Sequence, residues 1–306
     1  MFRRTKQNTR EVLLLFIMAL VFIVAIVMKP PSDEGYLWAS PVTTHQSTAP
    51  ELWSISGIFI DDNWHQPLIS ANNNKLIVLG SNNNTQAEGV LAFDGTSGHS
   101  KWSVDYRGIT ITSTESKVIA GGASRVVALD IQNGSTLWST GVRANVVDII
   151  PRDDQLYVYG VSVRKYILDV SNGSILETFE EPYSIEEEPS IGNIAYTFDG
   201  NGNIIATDKL NNQVLWRNKA NAISNLAVTD TFIYALGDHG SLLRFDRQTG
   251  HKVNLPLLAT TSFAARSEQT TTFAYYVAID TSTNILFVYL GDSAQLFAFQ
   301  MPIVEP

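Results

Sequence analysis

The sequence contains no cysteine in its 306 residues. This absence excludes a disulfide scaffold, a thiol nucleophile, a Cys-ligated zinc or iron–sulfur centre and the lipid-bearing cysteine of a bacterial lipoprotein. Charged residues are also scarce, at 17%, and the 30 acidic residues outnumber the 21 basic ones. Because five of the basic residues lie within the first 29 positions, the rest of the chain is strongly acidic and repels phosphate groups. We therefore expect no nucleic-acid partner.

Long hydrophobic runs are absent except for residues 12–28, which are 17 consecutive apolar residues, the lower limit for a membrane-spanning helix. A basic cluster precedes this run and no small-x-small cleavage site follows it. We predict a cytoplasmic N-terminus at residues 1–11, an uncleaved, single-pass transmembrane helix at 12–29 and a proline-rich linker at 30–50. Residues 51–306 would then lie on the extracytoplasmic side of the cytoplasmic membrane. A cleaved signal peptide is the alternative.

A repeat of about 40 residues occupies most of the chain after the linker. In five segments an apolar run ends in Asp, a Gly or Asn follows four residues later, and in three of the five a Trp follows eight residues later. The Asp positions are 36, 39, 39 and 38 residues apart. In chain order the repeat residues are Asp94, Gly98 and Trp102; Asp130, Gly134 and Trp138; Asp169, Gly173 and Glu177; Asp208, Asn212 and Trp216; and Asp246, Gly250 and Asn254.

Each residue type in the repeat has a predicted structural role. The Asp carboxylate accepts hydrogen bonds from the amides of the following turn, and the Gly or Asn adopts the left-handed backbone conformation that a hairpin turn requires. The Trp lies on the returning strand, where it covers the neighbouring unit. Since further apolar strands precede each Asp, we predict that one unit is a four-stranded antiparallel sheet, the size of a propeller blade.

Six such units fit into residues 51–306. The last copy, which ends in Gln300, has no room for its own outer strand, whereas Leu52-Trp53-Ser54 has no inner strands before it. We predict that this first strand completes the last blade and closes the ring, because closure removes exposed sheet edges. The predicted fold is therefore all-β, a six-bladed β-propeller preceded by one transmembrane helix. Asp280 and Asn284 imitate the repeat spacing, which leaves seven blades as an alternative.

The pattern Ala-x-Asp-x-x-x-Gly-x-x-x-Trp resembles the repeat of the pyrroloquinoline-quinone (PQQ)-like β-propeller superfamily, a WD40-like architecture. The resemblance covers residues 51–306 and implies the fold. Its members include quinoprotein alcohol dehydrogenases and the propeller component of the outer-membrane protein assembly machinery. The chain departs from the first group because it has no adjacent cysteine pair. It departs from the second because that component is usually an eight-bladed lipoprotein.

Three features that are typical of functional sites have simpler interpretations. Asp199-Gly-Asn-Gly-Asn203 resembles the start of a calcium loop, but position 210 is a leucine where such a loop has its bidentate glutamate. The acidic residues around Glu180 and 186–188 are typical of a solvated loop. The five histidines are scattered without metal-ligand spacing: His45, His65, His99, His239 and His251. We therefore assign no catalytic, cofactor-binding or metal-binding residue, and we expect no cofactor.

The sequence favours a non-catalytic protein that is anchored in the membrane and binds other proteins as a docking scaffold within a membrane-associated complex. A propeller that binds or senses a ligand in its central channel is the alternative. A quinoprotein oxidoreductase is a third hypothesis, although residues 51–306 are too few for the eight blades of that group.

Overall fold

The structure is a computed structural model that describes residues 49–60, 69–161, 164–180, 190–199, 202–237, 242–255, 257–258, 275–291 and 293–301. All of them belong to one unit of the chain, Trp38–Pro306. The predicted N-terminus at 1–11, the predicted helix at 12–29 and nearly all of the linker at 30–50 lie outside the described residues. Among the described residues, no helix has the length and apolar character needed to cross a membrane.

The described elements are all β-strands. In chain order they are β1 (Ala49–Ser56), β2 (Ile58–Phe59), β3 (Ile69–Asn72), β4 (Lys75–Asn82), β5 (Ala87–Asp94), β6 (Ser100–Val104), β7 (Gly108–Ser113), β8 (Lys117–Asp130), β9 (Thr136–Arg152), β10 (Gln155–Gly160), β11 (Arg164–Asp169), β12 (Ile175–Glu180), β13 (Ser190–Ile191), β14 (Ile194–Phe198), β15 (Asn203–Asp208), β16 (Gln213–Lys219), β17 (Ala227–Val228), β18 (Phe232–Leu236), β19 (Leu242–Asp246), β20 (Lys252–Leu255), β21 (Leu257–Leu258), β22 (Tyr275–Asp280), β23 (Ile285–Leu290) and β24 (Gln295–Gln300).

Within the described residues these strands form five hydrogen-bonded sheets. The first sheet joins β2, β4, β5 and β6, with β3 paired to β4, and the second joins the six strands from β7 to β12 in consecutive order. The third joins β13 to β16 and the fourth β17 to β20. The fifth has the order β21-β1-β24-β23-β22, so it combines the first described strand with the last three. The structure is thus an all-β propeller, as predicted.

The number of sheets corrects the prediction of six separate four-stranded blades. Units two and three, which carry Asp130 and Asp169, share the six-stranded sheet because β9 runs from one unit into the other. Its first half pairs with β8 and its second half with β10. The sequence between the halves has no proline and one glycine, Gly141, so no residue there forces the strand to end. In the part of the chain that the structure describes, the propeller therefore has five sheets of four to six strands.

The burial of each strand follows its place in the sheet. Strands between two others are apolar on both faces: all six residues of β23 are buried. Strands at the outer edge alternate instead, as in β6, where Ser103 is exposed and its neighbours Trp102 and Val104 are partly buried. This difference follows from the two-residue period of a strand, because a sheet packed on both faces buries both sets of side chains. The largest core cluster includes Leu76, Ile111 and Phe287, so it joins three neighbouring units.

The predicted closure of the last blade is confirmed. Strand β1 pairs antiparallel with β24, with Ile55 opposite Leu296 and Trp53 opposite Ala298. Asp280 ends β22 and precedes the turn to β23, so it lies at the end of a strand of the last unit rather than in a repeat turn. The alternative of a seventh unit is therefore wrong for the part of the chain that is described.

Candidate interaction surface

The repeat turns have the geometry that the sequence predicts. In unit two, Asp130 Oδ1 accepts hydrogen bonds from the amides of Gln132 (2.7 Å) and Asn133 (3.2 Å). The same arrangement occurs in unit one, where Asp94 Oδ1 accepts the amide of Ser97 at 2.9 Å. Burial acts to raise the pKa of Asp94, but hydrogen bonds from Ser97 and the charge of Lys101 outweigh it and lower the pKa to about 2. The Asp residues thus act in local structure.

Four tryptophans each join their own unit to the repeat turn of the next unit. Each indole Nε1 donates a hydrogen bond to the carbonyl one residue after the turn Asp, and each ring lies against the turn glycine. The four pairs are Trp53 with Gly95 O at 2.8 Å, Trp102 with Ile131 O at 3.1 Å, Trp138 with Val170 O at 3.1 Å, and Trp216 with Arg247 O at 3.1 Å. The prediction that Trp covers the neighbouring unit is therefore confirmed.

The glycine under each indole is required for two reasons. Gly134 has a φ of 75°, in the left-handed region that favours glycine, and a Cβ at this position would lie 2.7 Å from Cε3 of Trp102. Gly98 and Gly250 have the same relation to Trp53 and Trp216. The repeat residues are consequently occupied in holding the propeller together, and function must be sought elsewhere.

The remaining sequence candidates have structural explanations or lie outside the described residues. Asp199 accepts hydrogen bonds from the amide and side-chain nitrogens of Asn203, as in an ordinary turn. His99 and His251 are exposed beside repeat turns, and Glu180 is exposed at the end of β12. His45, His65, His239 and the acidic residues 186–188 are not described. In the described part of the chain, no group of three or more His, Cys, Asp or Glu residues is arranged to hold a metal.

A cluster of arginines lies at the end of the strands opposite to the repeat turns. The β8–β9 ladder runs from Leu129 beside the repeat turn to Ala123 at its far end, and Arg125 lies two residues from that end. Arg143 follows on β9, and Arg164 begins β11, whose other end is the turn residue Asp169. Arg107 precedes β7 in the connection from unit one. We call Arg107, Arg125, Arg143 and Arg164 the arginine surface.

Hydrogen bonds fix the backbone on which these arginines stand. The Tyr106 hydroxyl donates to the Arg125 carbonyl at 3.0 Å, and Nη1 of Arg164 donates to the Arg143 carbonyl at 3.2 Å. The Arg143 amide donates to the Tyr166 hydroxyl at 3.0 Å. Burial raises the pKa of Tyr106 to about 12, although the charge of Arg125 acts in the opposite direction. The tyrosine therefore remains a neutral hydrogen-bond donor at physiological pH.

The guanidinium groups are available to a ligand. Arg107, Arg125 and Arg143 are exposed and Arg164 is half-buried. Within the described residues, none of these four groups forms an ion pair with a carboxylate. Two of them line a cavity of about 540 Å³, which also contacts Ser124, Asn145 and Glu180; the two are Arg143 and Arg164.

Sequence reasoning missed the arginine surface, although the repeat contains a signal for it. Arg125 and Arg164 both lie five residues before their turn Asp, while Arg107 and Arg143 both lie thirteen residues after theirs. Equivalent repeat positions occupy equivalent places in neighbouring units. Aligning the repeats at positions other than Asp, Gly and Trp would therefore have predicted that these arginines share one end of the sheets.

A second cavity adjoins the arginine surface. It has a volume of about 610 Å³ and lies between the connection after β2, the facing ends of β4 and β5, and the connection before β7. Its lining is mixed, with the aromatic residues Phe59 and Tyr106, the apolar residue Leu79 and the charged residues Glu88 and Arg107. The size suits a small molecule.

These features define a class of protein: a closed β-propeller whose repeat residues hold neighbouring units together and whose exposed arginines lie away from the repeat turns. A family model described as "Outer membrane protein assembly factor BamB" matches residues 42–191. Residues 42–191 are thus similar to this family, and the chain is a PQQ-like β-propeller, as its repeat resemblance predicted. No curated protein matches the sequence.

Solved propeller structures resemble the chain at low sequence identity. A chain of the Mitotic Checkpoint Complex is 13% identical with a TM-score of 0.61, and the match covers 90% of this chain and 98% of that one. BamB from Moraxella catarrhalis is 14% identical, with a TM-score of 0.37 and coverage of 88% and 95%. The Cps50 (Swd1) propeller domain from Myceliophteria thermophila is 10% identical, with a TM-score of 0.48 and coverage of 83% and 100%. The first of these likenesses shows the fold alone.

Proposed function

We propose that the protein is a non-catalytic docking scaffold, held at the extracytoplasmic side of the cytoplasmic membrane by residues 12–29, and a subunit of a membrane-associated protein complex. The observation that carries the proposal is the arginine surface. It places four guanidinium groups without carboxylate partners, among the described residues, on a propeller whose other repeat residues are engaged in packing. Charges left unpaired on a rigid support are suited to recognising a charged partner.

The family match supports the same class of function. The model that matches residues 42–191 is described as that of an assembly factor of the outer membrane, a role in which a protein acts on other proteins. The apolar run at 12–28 and the basic residues before it favour attachment to the cytoplasmic membrane with the propeller outside. Together these features favour a scaffold at the cell envelope.

Cross-linking in intact membranes tests the scaffold. The tagged full chain is cross-linked in place, solubilised in detergent and purified by its tag and by size. We expect a defined protein partner at fixed stoichiometry. A chain that always elutes as an uncross-linked monomer contradicts the proposal. As a control, residues 12–29 are replaced by a cleavable signal peptide, which tests whether the anchor is required.

Protease accessibility tests the orientation. Protease added to intact spheroplasts should digest the propeller while an epitope at residues 1–11 stays protected. A soluble product that begins near residues 30–40 would instead show cleavage of the N-terminal segment. Digestion of the epitope in intact spheroplasts would show the opposite orientation, with residues 1–11 outside.

A ligand-binding propeller is the second candidate function, favoured by the cavity of about 610 Å³ beside Tyr106. A small molecule bound there should raise the melting temperature of the protein, and Ser81→Trp, which fills the cavity, should abolish the shift. A lone monomer in the cross-linking experiment together with such a shift would favour this function over the scaffold.

A further inference from the structure

We infer that the arginine surface binds an acidic segment of a partner protein, an extended stretch that carries several Asp or Glu carboxylates. The inference rests on the proposed scaffold function, because it names the chemistry by which the scaffold recognises its partner.

The first step is the distribution of charge. The sequence has more acidic than basic residues, 30 against 21, and nine arginines follow residue 30. Four of these nine are gathered in the connections and strand ends of the first three units. Self-repulsion opposes such a gathering of like charges unless an opposite charge is supplied. Since none of these guanidinium groups forms an ion pair with a described carboxylate, a ligand that carries negative charge would relieve this repulsion.

The second step is preorganisation. Arg164 is half-buried and its Nη1 is held by the Arg143 carbonyl at 3.2 Å, so part of its rotamer freedom is already lost. A guanidinium group presents a planar fork of donors that matches a carboxylate in two parallel hydrogen bonds. Arg143 and Arg164 line one cavity and face a ligand together, while Ser124 and Asn145 add neutral polar groups.

The third step selects a peptide over other anions. Glu180 lines the same cavity and repels a phosphate dianion more strongly than a single carboxylate. A carboxylate such as that of Glu180 can also accept a hydrogen bond from a backbone amide of a bound peptide, a donor that phosphate lacks. The cavity is concave, with a volume of about 540 Å³, whereas a lipid surface is flat. These features together favour an acidic peptide.

Fluorescence anisotropy with two labelled peptides tests the inference on the full chain in detergent. One peptide alternates Glu and Ser, and the other replaces each Glu by Gln. We expect the Glu peptide to bind on the order of tenfold more tightly than the Gln peptide, with an affinity that falls as salt is added. Equal binding of both peptides overturns the inference.

Variants locate the site. Arg143→Glu combined with Arg164→Glu should weaken binding of the Glu peptide on the order of tenfold, because two attractions become repulsions. Arg152→Glu is the matched control: it is an exposed arginine at the opposite end of β9, near the Tyr157 ring. If the double variant does not fold, Arg125→Gln replaces it, because that exposed side chain donates no hydrogen bond to another described residue. Equal losses in the control and the test variants overturn the inference.

Two further results separate this inference from others. Binding to phosphatidylglycerol vesicles that is lost in the double variant, with no binding of the Glu peptide, would assign the surface to a membrane and overturn the inference. The cross-linking experiment is then repeated with the double variant. A complex that still forms with the double variant would show that the arginine surface is not its binding site, although the proposed scaffold function would stand. Absence of any complex in the unaltered chain overturns the scaffold itself.

Discussion

The seam from unit two to unit three and the seam from unit three to unit four differ at the tryptophan and glycine positions of the repeat. At the first, the indole of Trp138 lies against Gly173 and is 9% exposed. At the second, the equivalent positions are Glu177, which is exposed, and Asn212, which has a φ of 56°. The turn at Asn212 keeps the left-handed backbone conformation although no tryptophan covers it. Without an indole in contact, this position no longer has to be a glycine. Tryptophan and glycine therefore act as a pair. Where the tryptophan is absent, the turn requires only a residue that tolerates the left-handed conformation, and asparagine does so.

The largest effect expected from this comparison is the loss of an indole. Trp138→Ala should lower the free energy of unfolding by ~3–5 kcal/mol, because it leaves a cavity and removes the hydrogen bond to Val170 O. Glu177→Ala should change it by less than about 0.5 kcal/mol. Thermal unfolding measures both. Equal changes in melting temperature would show that the two seams do not differ.

The next effect concerns the glycine. Gly134→Ala should cost about 2–3 kcal/mol, because it combines a left-handed backbone with a Cβ that meets the Trp102 ring. In a chain that also carries Trp102→Ala, the cost should fall to the backbone part, about 1 kcal/mol. Asn212→Ala, where no tryptophan precedes, is the control and should cost about 1 kcal/mol or less. Additive effects of the two substitutions in unfolding experiments would refute the pairing.

A smaller effect is expected from converting one seam into the other. Glu177→Trp together with Asn212→Gly should stabilise the protein by about 1 kcal/mol, because it buries apolar surface that is now exposed. Glu177→Trp alone should give no gain, since the Cβ of residue 212 stays in the way. Chemical denaturation of the three variants compares them. A full gain from the single substitution would mean that the glycine is dispensable.

The smallest effect concerns the carboxylate in a tryptophan-covered turn. The pKa of Asp94 in the folded chain is about 2, below its ordinary value of 3.8, so its contribution to stability is complete above that ordinary value and is lost as the pH falls towards 2. Asp94→Asn should remove this part of the acid sensitivity. Melting temperatures between pH 2 and pH 5 provide the measurement, with Lys101→Gln as a milder variant. If the melting temperature of Asp94→Asn falls between pH 5 and pH 2 as steeply as that of the unaltered protein, Asp94 does not contribute to the acid sensitivity.

Much of the fold could be predicted because the repeat residues act locally. Asp130 indicates a turn, Gly134 a left-handed backbone conformation and Trp138 a ring that docks on the next unit. The closing role of Leu52 to Ser54 follows from counting strands. The five-sheet arrangement could not be predicted in the same way. It depends on whether β9 ends or continues near Gly141, and its continuation is decided by hydrogen bonds to the neighbouring strands β8 and β10 rather than by any single residue of β9.

The candidate site was harder to predict from sequence than the fold. A single arginine in an acidic chain is typical of a solvated surface residue. Arg107 and Arg164 are also far apart in sequence. Their common location depends on how unit one connects to unit two and on where β11 begins, both of which are properties of the assembled propeller. In the sequence, this information is carried by the matching repeat positions of Arg125 and Arg164 and by those of Arg107 and Arg143.

The pairing of β1 with β24 also determines the order in which the molecule is completed. During synthesis β1 emerges before every other described strand, whereas its partner emerges last. Until then the edge of β1 that pairs with β24 has no partner strand, and the fifth sheet is incomplete. A chain interrupted anywhere before Gln295 leaves this strand unpaired, and cellular proteases recognise such exposed apolar edges. The pairing of β1 with β24 therefore distinguishes chains that have been synthesised through β24 from shorter ones.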